Sequence, residues 1–197
     1  MNDILNTPIL LISNSPRRKE ILESIGFTIE IGKVEIDEIF PSNILIEEAP
    51  AYLAEKKVQA YKNKYFKEVQ NKVLIGADTL VAYKEKVFEK PQNEEEAIAT
   101  LKFLSGKTHQ VISGYYLEYN NQAIARNCVT SVKFRELNPD WINYYVANYH
   151  PFDKAGAYGI QEWIGKVAVE EIKGDFYAVM GLPISSIMED MSKLLKR

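Results

Sequence analysis

Two arginines stand directly after a Ser-Asn-Ser-Pro turn in Ser13-Asn14-Ser15-Pro16-Arg17-Arg18, behind the short apolar run Ile9-Leu10-Leu11-Ile12. Hydroxyls, the open N–H groups of a helix N-terminus and guanidinium forks are the groups that hold a phosphate. Pro16 fits the first helical position and Ser15 the N-cap before it, which places Arg17, Arg18 and Lys19 in the first turn. The helix dipole already puts about half a positive charge there, so each cation costs roughly 0.3–1 kcal/mol unless an anion is present. The alternative is a solvated basic turn following an edge strand.

Asp78 interrupts the nearly continuous apolar stretch Val73-Leu74-Ile75-Gly76-Ala77-Asp78-Thr79-Leu80-Val81. A carboxylate leaving a buried strand needs a partner. Beside Gly76, which permits close approach, it reads as a metal ligand or general base, or as a structural carboxylate capping a loop. In Val34-Glu35-Ile36-Asp37-Glu38-Ile39 acids alternate with isoleucine, which predicts extended chain with Glu35 and Asp37 on one face and Glu38 opposite or on a loop. Such acids near a phosphate site could hold a divalent metal; an acidic loop in water has the same composition. Lys57 lies four residues beyond Leu53 and could reach a pocket, although alone it reads as a snorkelling surface lysine. Lys90 is held extended by Pro91. In Asp153-Lys154-Ala155-Gly156-Ala157-Tyr158-Gly159-Ile160-Gln161, small residues and glycines let backbone approach a ligand, with a charge pair and an amide to hand. A plain glycine-rich turn is the other reading. His109 has no Ser or Cys nucleophile motif beside it and reads as a hydrogen-bonded structural residue.

The elements that must position these groups alternate in type. Strands are predicted at 9–12, 27–31, 73–83, 109–119 and 123–134, with a short hairpin over 83–88 and an Asn120-Asn121 turn joining the last two strands. Helices are predicted at 17–24, stopped by Gly26; at 50–61; at 94–104, capped by Asn93 and stopped by Ser105-Gly106; from Asn138-Pro139 to 146; and amphipathically from Pro183 to 195. Glu94, Glu95 and Glu96 are accounted for by the helix dipole without a metal.

The bulk numbers set bounds. A chain of 197 residues buries a full core as one domain, residues 1–197, or as two closely packed lobes. A net charge of −3 argues against broad nucleic-acid binding but leaves room for a local basic cluster. The single cysteine, Cys128, forms no disulfide framework and reads as a buried strand residue. No stretch is apolar enough to span a membrane, and residues 1–8 lack a signal-peptide pattern, so the expected compartment is the cytoplasm. There is neither a Walker-type glycine-rich lysine loop nor a zinc-ligand spacing.

In their order, Ser13-Asn14-Ser15-Pro16-Arg17-Arg18, Ile36-Asp37-Glu38, Glu55-Lys56-Lys57, Gly76-Ala77-Asp78-Thr79, Glu89-Lys90-Pro91, Leu104-Ser105-Gly106-Lys107-Thr108-His109-Gln110-Val111 and the segment from Asp153 to Gln161 resemble the Maf family of nucleoside triphosphate pyrophosphatases. Arg17, Thr79 and Gln161 resemble its dTTP- and UTP-directed branch. Departures are mild: Asn14 replaces a usual Gly or Ser, and His150-Pro151-Phe152 replaces a commoner Glu-Pro start, leaving Asp153 as the carboxylate expected there.

The resemblance implies a mixed α/β fold with a long bent central sheet flanked by helices, two lobes with the active-site cleft between them, and a homodimer. It implies hydrolysis of a nucleoside triphosphate between the α- and β-phosphates. Asp78 would accept the proton of the attacking water, and Glu38 with Asp78 would bind Mg²⁺ or Mn²⁺. Ser13, Arg17, Arg18, Lys57, Lys90 and Lys154 would hold the triphosphate, while Arg17, Thr79 and Gln161 set the base. Neither nucleic acid nor membrane is an expected partner. Two rivals differ from this reading: the same chemistry on non-standard purine triphosphates, and a nucleotide-binding regulator of septum formation without turnover.

Overall fold

In the computed structural model, which describes residues 2–196, the chain runs α1 (Asn2–Leu5), β1 (Ile9–Ile12), α2 (Pro16–Ser24), β2 (Ile29–Gly32), α3 (Ala49–Lys64), β3 (Val73–Tyr83), β4 (Lys86–Phe88), α4 (Glu94–Leu104), β5 (Thr108–Tyr119) and β6 (Gln122–Phe134). It continues through α5 (Pro139–Tyr149), two 3₁₀ turns (Pro151–Asp153 and Ala155–Ala157), α6 (Trp163–Ala168), β7 (Val169–Lys173), α7 (Phe176–Met180) and α8 (Ile184–Leu195). Seven strands form one mixed sheet in the order β2-β1-β3-β5-β6-β7, with β4 paired to β3. Helices flank it, as the mixed α/β expectation requires.

β1 is apolar at every position because strands cover both its edges and it is buried throughout. It runs parallel to β2 (Ile9 opposite Ile29) and to β3 (Ile9 opposite Val73). β3 pairs antiparallel with β4, and β6 with β7. Asn120 and Asn121, both left-handed at φ 49° and 62°, make the two-residue turn between β5 and β6.

Contacts divide the chain into two units. The first takes residues up to 78, 113–128 and those from 181 onward. Its core gathers Leu10, Ile12, Ala54, Val58, Tyr61, Leu74 and Tyr116. α3 lies so close to β3 that a Cβ on Gly76 would stand 2.3 Å from the Ala54 carbonyl oxygen. The close approach foreseen at Gly76 is therefore that of a helix backbone. α8 is anchored by Asp190, fully buried, which accepts hydrogen bonds from Tyr115 Oη (2.7 Å), Arg126 Nη2 (2.9 Å) and Lys193 Nζ (2.7 Å).

Residues 33–40 are irregular, not extended in a strand. The chain leaves the sheet at Gly32, where the Tyr61 ring fills the space a side chain would need (2.7 Å from an added Cβ), and Lys56 Nζ donates to the carbonyls of Asp37 (2.6 Å) and Ile39 (3.4 Å) instead of leaving them to a neighbouring strand.

The second unit takes residues 79–112 and 129–180. Val81, Phe88, Leu101, Leu104, Val111, Val132, Phe134, Tyr145 and Tyr158 build its core. Asn93 Oδ1 accepts from Glu96 N (2.9 Å), and Glu96 Oε2 accepts from Gln92 N (2.8 Å), closing the start of α4 reciprocally. α6, β7 and α7 were not expected from the sequence: each is too short to display a hydrophobic period. Cys128 lies on β6 but is only half-buried, because residues 122–129 of that strand are exposed or half-exposed on both faces and burial begins at Thr130.

Candidate active site

The loop from β1 into α2 is organised by Ser13. Its Oγ accepts from the backbone N–H of Ser15 (3.2 Å) and from Arg18 Nη1 (2.9 Å). Ser15 is the N-cap by position, but its own side chain makes no capping bond. Arg18 is buried and points back under the loop: Nη1 also donates to the Ala77 carbonyl (2.9 Å), and Nε donates to the Gly181 carbonyl (2.9 Å). Burial lowers its guanidinium pKa, opposed by the Asp78 carboxylate; Arg17 adds to the lowering and Glu38 works against it. Arg17 is half-buried, whereas Lys19 faces solvent and pairs with Glu23 at 3.6 Å.

Asp78 is buried at the first unit's end of β3. Lys57 Nζ lies 2.5 Å from Asp78 Oδ1 and 2.7 Å from Glu38 Oε1, so one ammonium bridges two carboxylates. Lys57 is no snorkelling lysine: its side chain is only 12% exposed. Lys56, one residue earlier, fixes the loop that carries Glu38 through its bonds to Asp37 and Ile39. Among the described residues no three His, Cys, Asp or Glu converge to hold a metal by themselves. Two carboxylates aimed at one cation, with water and phosphate oxygens completing the shell, nevertheless fit Mg²⁺ or Mn²⁺, which are commonly held that way. Glu38 and Asp78 are the residues that could hold it.

In the second unit, Lys154 is buried between two acids, Asp153 (2.7 Å) and Glu162 (3.1 Å). Asp153 is therefore not the only carboxylate at this lysine. Tyr145 Oη donates to Glu162 Oε2 and accepts from the backbone N–H of Gly159 (3.0 Å). A Cβ on Gly159 would stand 2.8 Å from the Glu162 carboxyl carbon, so the glycine makes room for this network. Gly156, at φ 72°, lies so close to Val81 that an added Cβ would meet its methyls at 2.9–3.0 Å. His109 Nε2 and Tyr158 Oη are 2.8 Å apart, with Phe134 edge-on to both rings, which makes His109 a packing and hydrogen-bonding residue. Burial holds its pKa down to about 4, the Lys107 backbone working the other way.

Gln161 ends the same loop, and its side-chain oxygen is buried without a hydrogen-bond partner. Leaving a buried acceptor unpaired costs about 1–3 kcal/mol. Thr79 follows Asp78 on β3 and is half-buried; Lys90 is exposed just after β4. The structure thus gathers Ser13, Arg18, Lys57, Glu38 and Asp78 in one unit, and sets Lys154 and Gln161 on one loop of the other. Sequence reasoning missed Lys56, Glu162 and Tyr145. The only local sign of Glu162 was its place directly after Gln161.

These features define a mixed α/β protein in which Lys57 and Lys154, each largely buried and held between two acids, suit a polyanionic ligand. Residues 8–194 match the Maf family, described as Maf-like protein, and the chain belongs to that family. A dTTP/UTP pyrophosphatase of Cytophaga hutchinsonii is 41% identical over 194 residues, covering 98% of this chain and 87% of that protein. Proteins of the same name from Phocaeicola vulgatus and Bacteroides fragilis are 43% and 42% identical, each over 94% of this chain and 95% of the relative.

Proposed function

We propose that this protein hydrolyses dTTP and UTP between the α- and β-phosphates, releasing the nucleoside monophosphate and pyrophosphate. The observation that carries the reading is the buried Asp78 carboxylate paired to Lys57 at 2.5 Å, in a member of a family whose relatives bear that name. A carboxylate held beside an ammonium provides a base and a phosphate ligand in one exchange: Lys57 passes to a phosphate oxygen and Asp78 is left to take a proton.

In the reaction, water oxygen bonds to the α-phosphorus as the bond from that phosphorus to the bridging oxygen breaks. The water proton goes to Asp78, and pyrophosphate carries away the bond electrons. Arg17, Lys57, Lys90 and Lys154 counter the triphosphate charge, a role that needs positioning more than covalent chemistry. The Ser13 hydroxyl, already accepting two bonds, retains its own proton to donate. Glu38 with Asp78 would hold Mg²⁺ or Mn²⁺, which supplies neutralisation of the phosphate oxygens.

Gln161 accounts for the base. Uracil and thymine present an N3–H donor beside the O4 acceptor, the complement of a side-chain amide. The unpartnered Gln161 oxygen would take N3–H while its NH₂ donates to O4. Cytosine offers the opposite polarity and would pair only with the amide turned over. Thr79 and Arg17 complete the specificity set. The chain acts as a cytoplasmic homodimer that clears unwanted pyrimidine triphosphates, modified ones included. Among the described residues no helix is long and apolar enough to cross a membrane.

Product identity tests this reading. Incubation with UTP or dTTP and Mg²⁺ should yield UMP or dTMP with pyrophosphate; a diphosphate with inorganic phosphate would contradict it.

A further inference from the structure

A guanidinium can grip a phosphate through two bidentate edges, one formed by Nε and Nη2 and the other by Nη1 and Nη2. In Arg18 both edges already contain a committed donor. Nε is given to the Gly181 carbonyl, and Nη1 is shared between Ser13 Oγ and the Ala77 carbonyl, all at 2.9 Å. A bidentate phosphate grip would take Nε from the buried Gly181 carbonyl, or Nη1 from the Ser13 hydroxyl or the buried Ala77 carbonyl.

Those three acceptors lie on three separate segments of the first unit. Ser13 Oγ also holds the Ser15 N–H at the entrance to α2. Ala77 is the residue before Asp78, and Gly181, at φ 113°, leads into α8. One buried side chain therefore fixes the phosphate-type loop, the backbone beside Asp78 and the segment before the last helix relative to one another.

We propose that Arg18 is a positioning residue that sets Asp78 and the Ser13–Ser15 loop, and that it makes no bidentate phosphate contact. The expectation that it clamps the triphosphate is replaced, and Arg17 becomes the arginine that meets the nucleotide. The inference rests on the hydrolytic reading above for the reaction that Asp78 serves.

The test separates binding from turnover in Arg18→Lys, which keeps the charge and loses the planar fork. Calorimetry with α,β-methylene-UTP and Mg²⁺ reads binding; pyrophosphate release from UTP reads kcat. A binding constant within about threefold of wild type, with kcat lowered by about thirtyfold or more, is the expected result for a misplaced Asp78. Analogue binding weakened tenfold or more, or kcat within about threefold of wild type, overturns the proposal.

Should Arg18→Lys fail to fold, the wild-type protein still decides. The Nε–H resonance of Arg18 should stay protected and unshifted when the analogue saturates the protein; loss of that protection would show the guanidinium leaving Gly181 for the ligand. Wild-type turnover of UTP is the separate check on the hydrolytic reading. Analogue binding without any turnover would refute that reading, and the Arg18 resonance would still settle this one.

Discussion

Lys57 Nζ stands 2.5 Å from Asp78 Oδ1 because Gly76 lets the two elements that carry them meet. A side chain at position 76 would strike the Ala54 carbonyl and Val58, lifting α3 from β3 and drawing the lysine off the carboxylate. The same ammonium reaches Glu38, so it fills the point at which two acids converge.

Lys57 and a divalent cation consequently compete for one pair of carboxylates. Lys57→Met should bind Mn²⁺ more tightly than wild type in the absence of nucleotide, by about tenfold, or ~1.4 kcal/mol, while hydrolysing UTP more slowly. Electron paramagnetic resonance of free Mn²⁺ reads the affinity directly. Unchanged or weaker Mn²⁺ binding by the variant would show that the lysine does not hold the metal's place.

Gln161→Ala should lower kcat/KM for UTP and dTTP by roughly ten- to a hundredfold and leave CTP nearly unchanged, since only a base that pairs with the amide loses anything. Competition between UTP and CTP in one reaction, read by product chromatography, measures the ratio. A uniform fall across all nucleotides would take Gln161 out of base selection.

His109 gives the fold a pH dependence of known sign. Its folded-state pKa, about 4, lies below the ordinary 6.5, so between these values the unfolded chain binds more protons than the folded one. Stability contributed by the neutral ring is fully present above the ordinary pKa and lost as pH falls towards 4, about 3 kcal/mol in all. His109→Gln keeps a hydrogen-bonding group for Tyr158 and has no proton to gain. Urea denaturation from pH 7 to pH 4 should show a shallower loss of stability in the variant than in wild type; parallel curves would assign the acid sensitivity to other groups.

What the sequence disclosed follows from how local each cause was. α4 was legible because Asn93, the three glutamates and Ser105-Gly106 all act within a turn of its ends. Asp78 stood out as a charge in an apolar strand, and the Asn120-Asn121 turn announced its hairpin. Read alone, Lys57 passed for a surface lysine because its partners come from a loop and a strand distant in the sequence, and the close contact at Gly76 brings them together. The acid-isoleucine alternation at 34–39 looked like a strand, yet Lys56 holds those carbonyls as a loop. Arg18 was legible as a cation beside a serine but not as a tie among three segments, since Ala77 and Gly181 reach it only through the fold.

Asp78 carries the central claim, and one assay addresses it most directly: pyrophosphate release from a panel of nucleoside triphosphates with Mg²⁺ or Mn²⁺, wild type beside Asp78→Asn. The account predicts selective turnover of dTTP and UTP by wild type and a loss of at least about a hundredfold in the variant, with nucleotide still bound. Turnover that survives in Asp78→Asn, or a wild-type protein that binds these nucleotides without cleaving them, would contradict it.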